Sequence, residues 1–171
     1  MKPMGSKSDP KAEANEINRK VFDIVSSIVS RSRQWEWTVF DNGCDGARAE
    51  LTPLLLDLGI EVVGMDLLED WLQEKRAKFA HCPNLKIVCG DAHHLPFQDG
   101  VFDIVTFVEV IEHLEKPDLA LGEIHRVLRD KGELILTTPN ACGLWALAAG
   151  RLPAWLYKVA HRPKRFREKT S

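Results

Sequence analysis

A chain of 171 residues, 44% hydrophobic and 28% charged, has the length and composition of one ordinary globular domain, not of a disordered or fibrous segment. Its formal net charge of −2 gives no global attraction to nucleic acid or acidic membrane. No apolar run approaches the roughly eighteen residues of an integral membrane segment, and Cys44, Cys82, Cys89 and Cys142 form no close pair, so they read as reduced thiols of a cytoplasmic protein.

Residues 1–10 are polar, carry Gly and Pro, lack periodicity, and read as a disordered tail. From Lys11 to about Arg33, Ile17, Val21, Ile24, Val25 and Ile28 recur at spacings of three and four, which predicts an amphipathic helix. A short strand comes next, at Thr38 to Phe40. Strand-like runs then lie at Glu61 to Met65, Leu85 to Cys89, Phe102 to Val108 and Glu133 to Thr138. Helical segments are expected between them, at Thr52 to Leu58, Asp70 to Ala80 and Asp118 to Arg129. Val, Ile and Leu fill the strands with little polar alternation, as parallel strands covered on both faces require. The alternation predicts an α/β, doubly wound, mainly parallel sheet over residues 11–140.

After residue 140 the chain reads as a helical, basic segment, 141–171, and as a truncation of a longer fold. From Arg151 onward seven Lys or Arg meet one acid, Glu168. Leu144 to Tyr157 is expected to be helical and to pack near the edge of the fifth strand, with Trp145, Trp155 and Tyr157 covering that edge or forming a substrate lid. No sixth strand is expected there, so the edge is left to that helix or to a second copy pairing through it.

In doubly wound sheets ligands sit beyond the carboxyl ends of the strands, so function is sought in the residues at each strand exit. The first strand runs into Asp41-Asn42-Gly43-Cys44-Asp45-Gly46-Ala47, where glycine lets backbone approach a ligand; an ordinary tight turn explains it equally well. Asp66 closes the second strand and suits the two hydroxyls of a ribose or the N-cap of the next helix. Gly90-Asp91-Ala92 closes the third, where a carboxylate beside backbone amides suits an adenine edge or an Asx turn. Three strand ends carrying Gly, Asp and Asp in this order weigh more than any one of them.

The stretches VFDNGCDGA, VVGMD, GDAHHLPFQDGVFDIV, VEVIEHL and RVLRDKGELILTTPN make the chain resemble the class I S-adenosylmethionine-dependent methyltransferases, in the branch of the ubiquinone-biosynthesis O-methyltransferases. The resemblance implies a Rossmann-like methyltransferase sheet, without the antiparallel strand pair with which such relatives end. It implies S-adenosyl-L-methionine as cofactor, with Asp41, Gly43, Cys44 and Gly46 along the methionine moiety. Asp66 would hold the ribose, Leu67 would also bind the cofactor, Asp91 and Ala92 would meet the adenine, and Val108 would lie near the methionine end. Where the family's first loop reads D-x-G-C-G-x-G, Asp45 and Ala47 stand at the second and third glycine positions. Either Asp45 repels the cofactor's carboxylate, by about 1 kcal/mol if solvated, or one residue is lost and Gly46 serves in a rearranged turn.

Methyl transfer from a sulfonium needs in-line approach above all, and an oxygen nucleophile gains from a base or a metal. If a helical turn comes after the fourth strand, Glu109, Glu112 and His113 share a face. His113 is the candidate base, and all three together are candidate ligands for magnesium, as in the E-x-x-E-H segments that ligate it in some ubiquinone and small-RNA methyltransferases. The alternative is a solvated turn. His93 and His94 are read as exposed loop residues, with a place for one of them lining the pocket as the alternative. The expected acceptor is a small molecule, methylated on oxygen, with an RNA hydroxyl next. The competing readings are a cofactor-binding module without turnover, and a nicotinamide dehydrogenase, whose G-x-G-x-x-G residues 43–48 do not supply.

Overall fold

The computed structural model describes residues 10–32, 36–44, 51–138 and 158–160. The elements in chain order are α1 (Pro10–Arg31), β1 (Thr38–Asn42), α2 (Leu51–Leu56), β2 (Glu61–Asp66), α3 (Glu69–Lys78), β3 (Leu85–Cys89), β4 (Phe102–Val108), a 3-10 turn (Ile111–His113), α4 (Pro117–Val127), β5 (Leu128–Thr137) and β6 (Lys158–Ala160). The sheet has the order β3-β2-β1-β4-β5-β6. All neighbours run parallel except β6, which is antiparallel to β5.

The expected doubly wound α/β architecture is therefore the one the chain forms, and each strand's sequence shows why. Adjacent residues of one strand face opposite sides, and both sides are covered. Val39, Val62 and Ile104 pack with Val21 and Val25 of α1 and Leu51 and Leu55 of α2. Phe40, Val63 and Val105 pack on the other side with Ala120, Ile124 and Val127 of α4 and with Ala92 and Leu95 of the β3–β4 loop. Phe97 and Phe102 complete that side, their ring centroids 5.1 and 4.9 Å from that of Phe40. Among the described residues no helix is long and apolar enough to cross a membrane.

Strand order reverses between β1 and β4: from β1 the chain winds outward to β2 and β3, then returns to place β4 and β5 on the other side. The carboxyl ends of β1 and β4 flank this switch point, where an open α/β sheet receives its ligand.

The expectation of no strand beside β5 is corrected. Leu134, Ile135 and Leu136 pair with Ala160, Val159 and Lys158, so over those residues this edge is not open to a second copy. A three-residue antiparallel strand is held by its backbone and is too short to carry a periodic signature, which is why it escaped the sequence pattern. The helix expected at 144–157 lies outside the described residues, as do Trp145, Trp155 and Tyr157.

Candidate functional site

The site is assembled by hydrogen bonds that tie the strand exits together. Gly43 N and Cys44 N both donate to Met65 O, at 2.8 and 3.1 Å, and Gly90 N donates to Asp66 O at 3.0 Å. The exits of β1, β2 and β3 thus form one continuous ledge. Gly43 adopts φ +85°, a left-handed conformation that favours glycine, and a Cβ there would fall on Val110 Cγ2 of the segment after β4. That contact brings the β4 exit across the β1 exit.

Two of the expected carboxylates lie on this ledge. Asp66 is half-buried, and its Oδ1 accepts a hydrogen bond from Leu68 N at 3.3 Å, a turn that leads into α3. Leu67, 66% exposed, Leu68 and Trp71 are exposed apolar residues in the segment that follows it. Asp91 Oδ1 accepts from His93 N at 2.9 Å and pairs with His93 Nδ1 at 2.7 Å. The Asx turn anticipated as the plain alternative is therefore present. The His93 amide, then its ring, holds the Asp91 carboxyl below its ordinary range. Asp91 Oδ2 carries no hydrogen bond among the described residues, and the side chain is 49% exposed. Ala92 is buried.

The exposed-loop reading holds for His94. It is corrected for His93, whose ring is largely covered and whose Nε2 is buried without a hydrogen-bond partner among the described residues. Its engagement with Asp91, two residues away, is what draws it in.

Asp41 has a different place from the one the resemblance implied. Its side chain is buried, Thr52 Oγ1 donating to Oδ2 at 2.6 Å and Thr106 Oγ1 to Oδ1 at 2.8 Å. Burial pushes its carboxyl above the ordinary aspartate range, against the hydroxyls and the charge of Lys75, while Asp66 adds to the rise. Both oxygens are occupied from below, so Asp41 braces the floor between β1, α2 and β4 rather than presenting a carboxylate to a ligand. Its neighbour Asn42, which carries no distinctive signal in the sequence, is also buried, and its Nδ2 has no partner among the described residues. Cys44 is buried against Gly64, where a Cβ would meet its Sγ at 2.9 Å. Val108 is half-buried and packs on the α1–α2 side. Gly46, Asp45 and Ala47 lie outside the described residues.

The segment after β4 departs from expectation. In place of an α-helical turn through 109–113 the chain forms a 3-10 turn over Ile111–His113, preceded by Glu109 at φ +56°. The i, i+4 relation between Glu109 and His113 is lost. Glu109 Oε1 accepts from Thr137 Oγ1 at 3.0 Å and Glu112 Oε2 from Thr138 Oγ1 at 3.3 Å, so β5 and the residue after it hold both carboxylates. The His113 ring is 76% exposed, with Nε2 3.9 Å from Glu112 Oε1. Among the described residues no group of three His, Cys, Asp or Glu side chains is arranged to hold a metal ion. The three residues do not fit the magnesium site expected of them.

The residues do fit an adenosyl cofactor by the chemistry of their atoms. Asp66 and Asp91 offer acceptors, as ribose hydroxyls and an adenine amine require, and the Asn42 amide is a buried polar group at the same ledge.

Comparison with known proteins identifies the family and the fold. Residues 40–136 match a family model described as a methyltransferase domain. A demethylmenaquinone methyltransferase of Staphylococcus aureus is 39% identical over 149 positions, covering 75% of this chain and 62% of that protein. The PH0226 protein of Pyrococcus horikoshii, a solved structure, is 29% identical with a TM-score of 0.58, over 71% of this chain and 58% of that one. The CMeT domain of the citrinin polyketide synthase shares the fold at 19% identity, with a TM-score of 0.65, over 72% of this chain and 35% of that one. The chain spans from 23% to 62% of the length of the first curated relatives it matches.

Proposed function

The chain belongs to the class I S-adenosylmethionine-dependent methyltransferase family, and on that premise we propose that it transfers the methyl group of S-adenosyl-L-methionine to an oxygen of a small molecule. The observation that carries the cofactor reading is the ledge on which Asp66 and Asp91 stand at the ends of neighbouring parallel strands, next to a Gly43 turn at the switch point. When bound, the cofactor supplies an electrophilic methyl on a sulfonium. This chain's own part is to hold and orient. Asp66 accepts the ribose hydroxyls. Asp91 Oδ2 and the Ala92 amide take the adenine edge, and Gly43 lets the backbone lie close to the methionine moiety. In-line approach of the acceptor then supplies most of the rate.

His113 is the base we assign to an oxygen acceptor. Its ring is accessible, and its Nε2 lies 3.9 Å from Glu112 Oε1. The staphylococcal relatives are named for a small-molecule acceptor, demethylmenaquinone, which supports a small molecule over an RNA hydroxyl. That Cys82 and Cys89 carry thiols and not a disulfide supports a reducing, cytoplasmic setting.

Titration calorimetry with S-adenosylmethionine and its demethylated product tests the cofactor reading, and transfer of a labelled methyl group to a panel of hydroxylated aromatic compounds tests the chemistry. Saturable binding of both ligands with transfer to oxygen is expected. No binding would overturn the reading, and binding without transfer to any acceptor would leave a cofactor-binding module.

A further inference from the structure

The chain between Cys89 and Phe102 must return from one end of the sheet to the other, past β2 and β1, and it does so without a helix. Its backbone therefore lacks the internal ladder that helices supply, and its polar groups must find partners elsewhere. They find them on α4. Leu95 N donates to Glu123 Oε2 at 2.8 Å. Arg126 donates from Nη2 to Leu95 O at 3.0 Å and from Nη1 to Phe97 O at 2.7 Å. Gly100 N and Val101 N donate to the carbonyls of Arg126 and Val127, at 2.9 and 2.8 Å.

A guanidinium has five N–H donors in a rigid fork, and here each has an acceptor. Besides the two loop carbonyls, Nε and Nη2 donate to Glu123 Oε1 and Oε2 at 2.8 and 2.7 Å, and Nη1 donates to Asp99 Oδ1 at 2.9 Å. The pair is largely covered, 30% and 24% exposed, and is bonded to the backbone of the buried Leu95. Leu95 is held at both its N–H and its C=O, three residues after Ala92.

We propose that Arg126 and Glu123 are the positioning residues for adenine recognition, fixing the β3–β4 loop so that Asp91 and the Ala92 amide meet the adenine edge together. This rests on the cofactor reading above. An edge read by one acceptor and one donor discriminates only if the spacing between them is fixed, and a loop does not fix spacing by itself. A lysine at 126 would keep the charge and lose the fork, so the loop would be released while the helix remained.

The test compares S-adenosylhomocysteine with S-inosylhomocysteine, in which a carbonyl replaces the adenine amine, by calorimetry on the full chain. Wild type is expected to prefer the adenine form. Arg126→Lys should weaken binding of that form about tenfold and shrink the preference at least about threefold, with Glu123→Gln between the two. Val25→Ala, which thins the core on the far side of the sheet, should lower the melting temperature and leave the preference intact. An unchanged preference in both Arg126→Lys and Glu123→Gln would overturn the role of the pair. If Arg126→Lys does not fold, Glu123→Gln decides. Failure of wild type to bind S-adenosylhomocysteine would instead overturn the cofactor reading, and this proposal with it.

Discussion

Thr106 Oγ1 lies 2.8 Å from Asp41 Oδ1, so a hydroxyl on β4 seals a carboxylate buried at the end of β1. The linkage has a definite sign. Burial raises the Asp41 carboxyl above its ordinary value of 3.8, so the stability it contributes is full in acid and is lost as pH rises through the raised value. Asp41→Asn is neutral at every pH and keeps the shape. The variant should therefore gain on wild type as pH rises, and the two should converge in acid. Denaturant midpoints measured between about pH 4 and pH 8 check this, and a pH-independent difference would refute it.

Asp66→Ala removes the acceptor assigned to the ribose. Binding of S-adenosylhomocysteine should weaken by about 1–3 kcal/mol, roughly five- to 150-fold in Kd. Melting temperature without ligand should move little, because Asp66 is half-buried at the rim of the sheet. Unchanged affinity would remove Asp66 from the site.

Gly43→Ala is expected to be costly in the absence of any ligand. The residue would need φ +85° with its Cβ on Val110 Cγ2, at a cost of about 1–3 kcal/mol from the backbone alone. Val110→Ala in the same chain should recover the steric part and not the backbone part. A Gly43→Ala protein as stable as wild type would show that the β1 and β4 exits do not press on one another.

Glu109, Glu112 and His113 make opposite predictions for metal and base. Because Thr137 and Thr138 hold the two carboxylates, methyl transfer should be indifferent to chelator. His113→Ala should lower kcat, with partial recovery as the solution is made more alkaline and the acceptor ionises unaided. Loss of activity in chelator, restored by magnesium, would reverse the assignment.

The strands were legible because their residues serve two cores at once. Val39-Phe40, Val62-Val63 and Ile104-Val105 are apolar in both registers, which a half-exposed strand does not need. The acids of the ledge were legible because each ends such a run: Asp66 after Met65, Asp91 after Gly90. The direction in which an acid points was not. Asp41 also ends an apolar run, but Thr52 and Thr106, which turn it inward, are 11 and 65 residues away in sequence. The 3-10 turn at Ile111–His113 was hidden for a similar reason, since Thr137 and Thr138, at the end of the neighbouring strand and 28 and 26 residues away in sequence, hold Glu109 and Glu112. The role of Arg126 depends on loop carbonyls that carry no residue identity at all.

The pairing of β1 with β4 also bears on how the chain is made. Thr106 and Asp41 are 65 residues apart, an interval that synthesis at about 5–20 residues per second stretches over several seconds. Until β4 emerges, β1 has a neighbour in β2 and a bare second edge, the kind of template on which nascent chains stick to one another. During that interval Asp41 lacks its β4 lid and stands as a solvated charge beside Val39 and Phe40. An acid that weighs against the finished fold above its raised pKa is, for the unfinished one, a gatekeeper against aggregation.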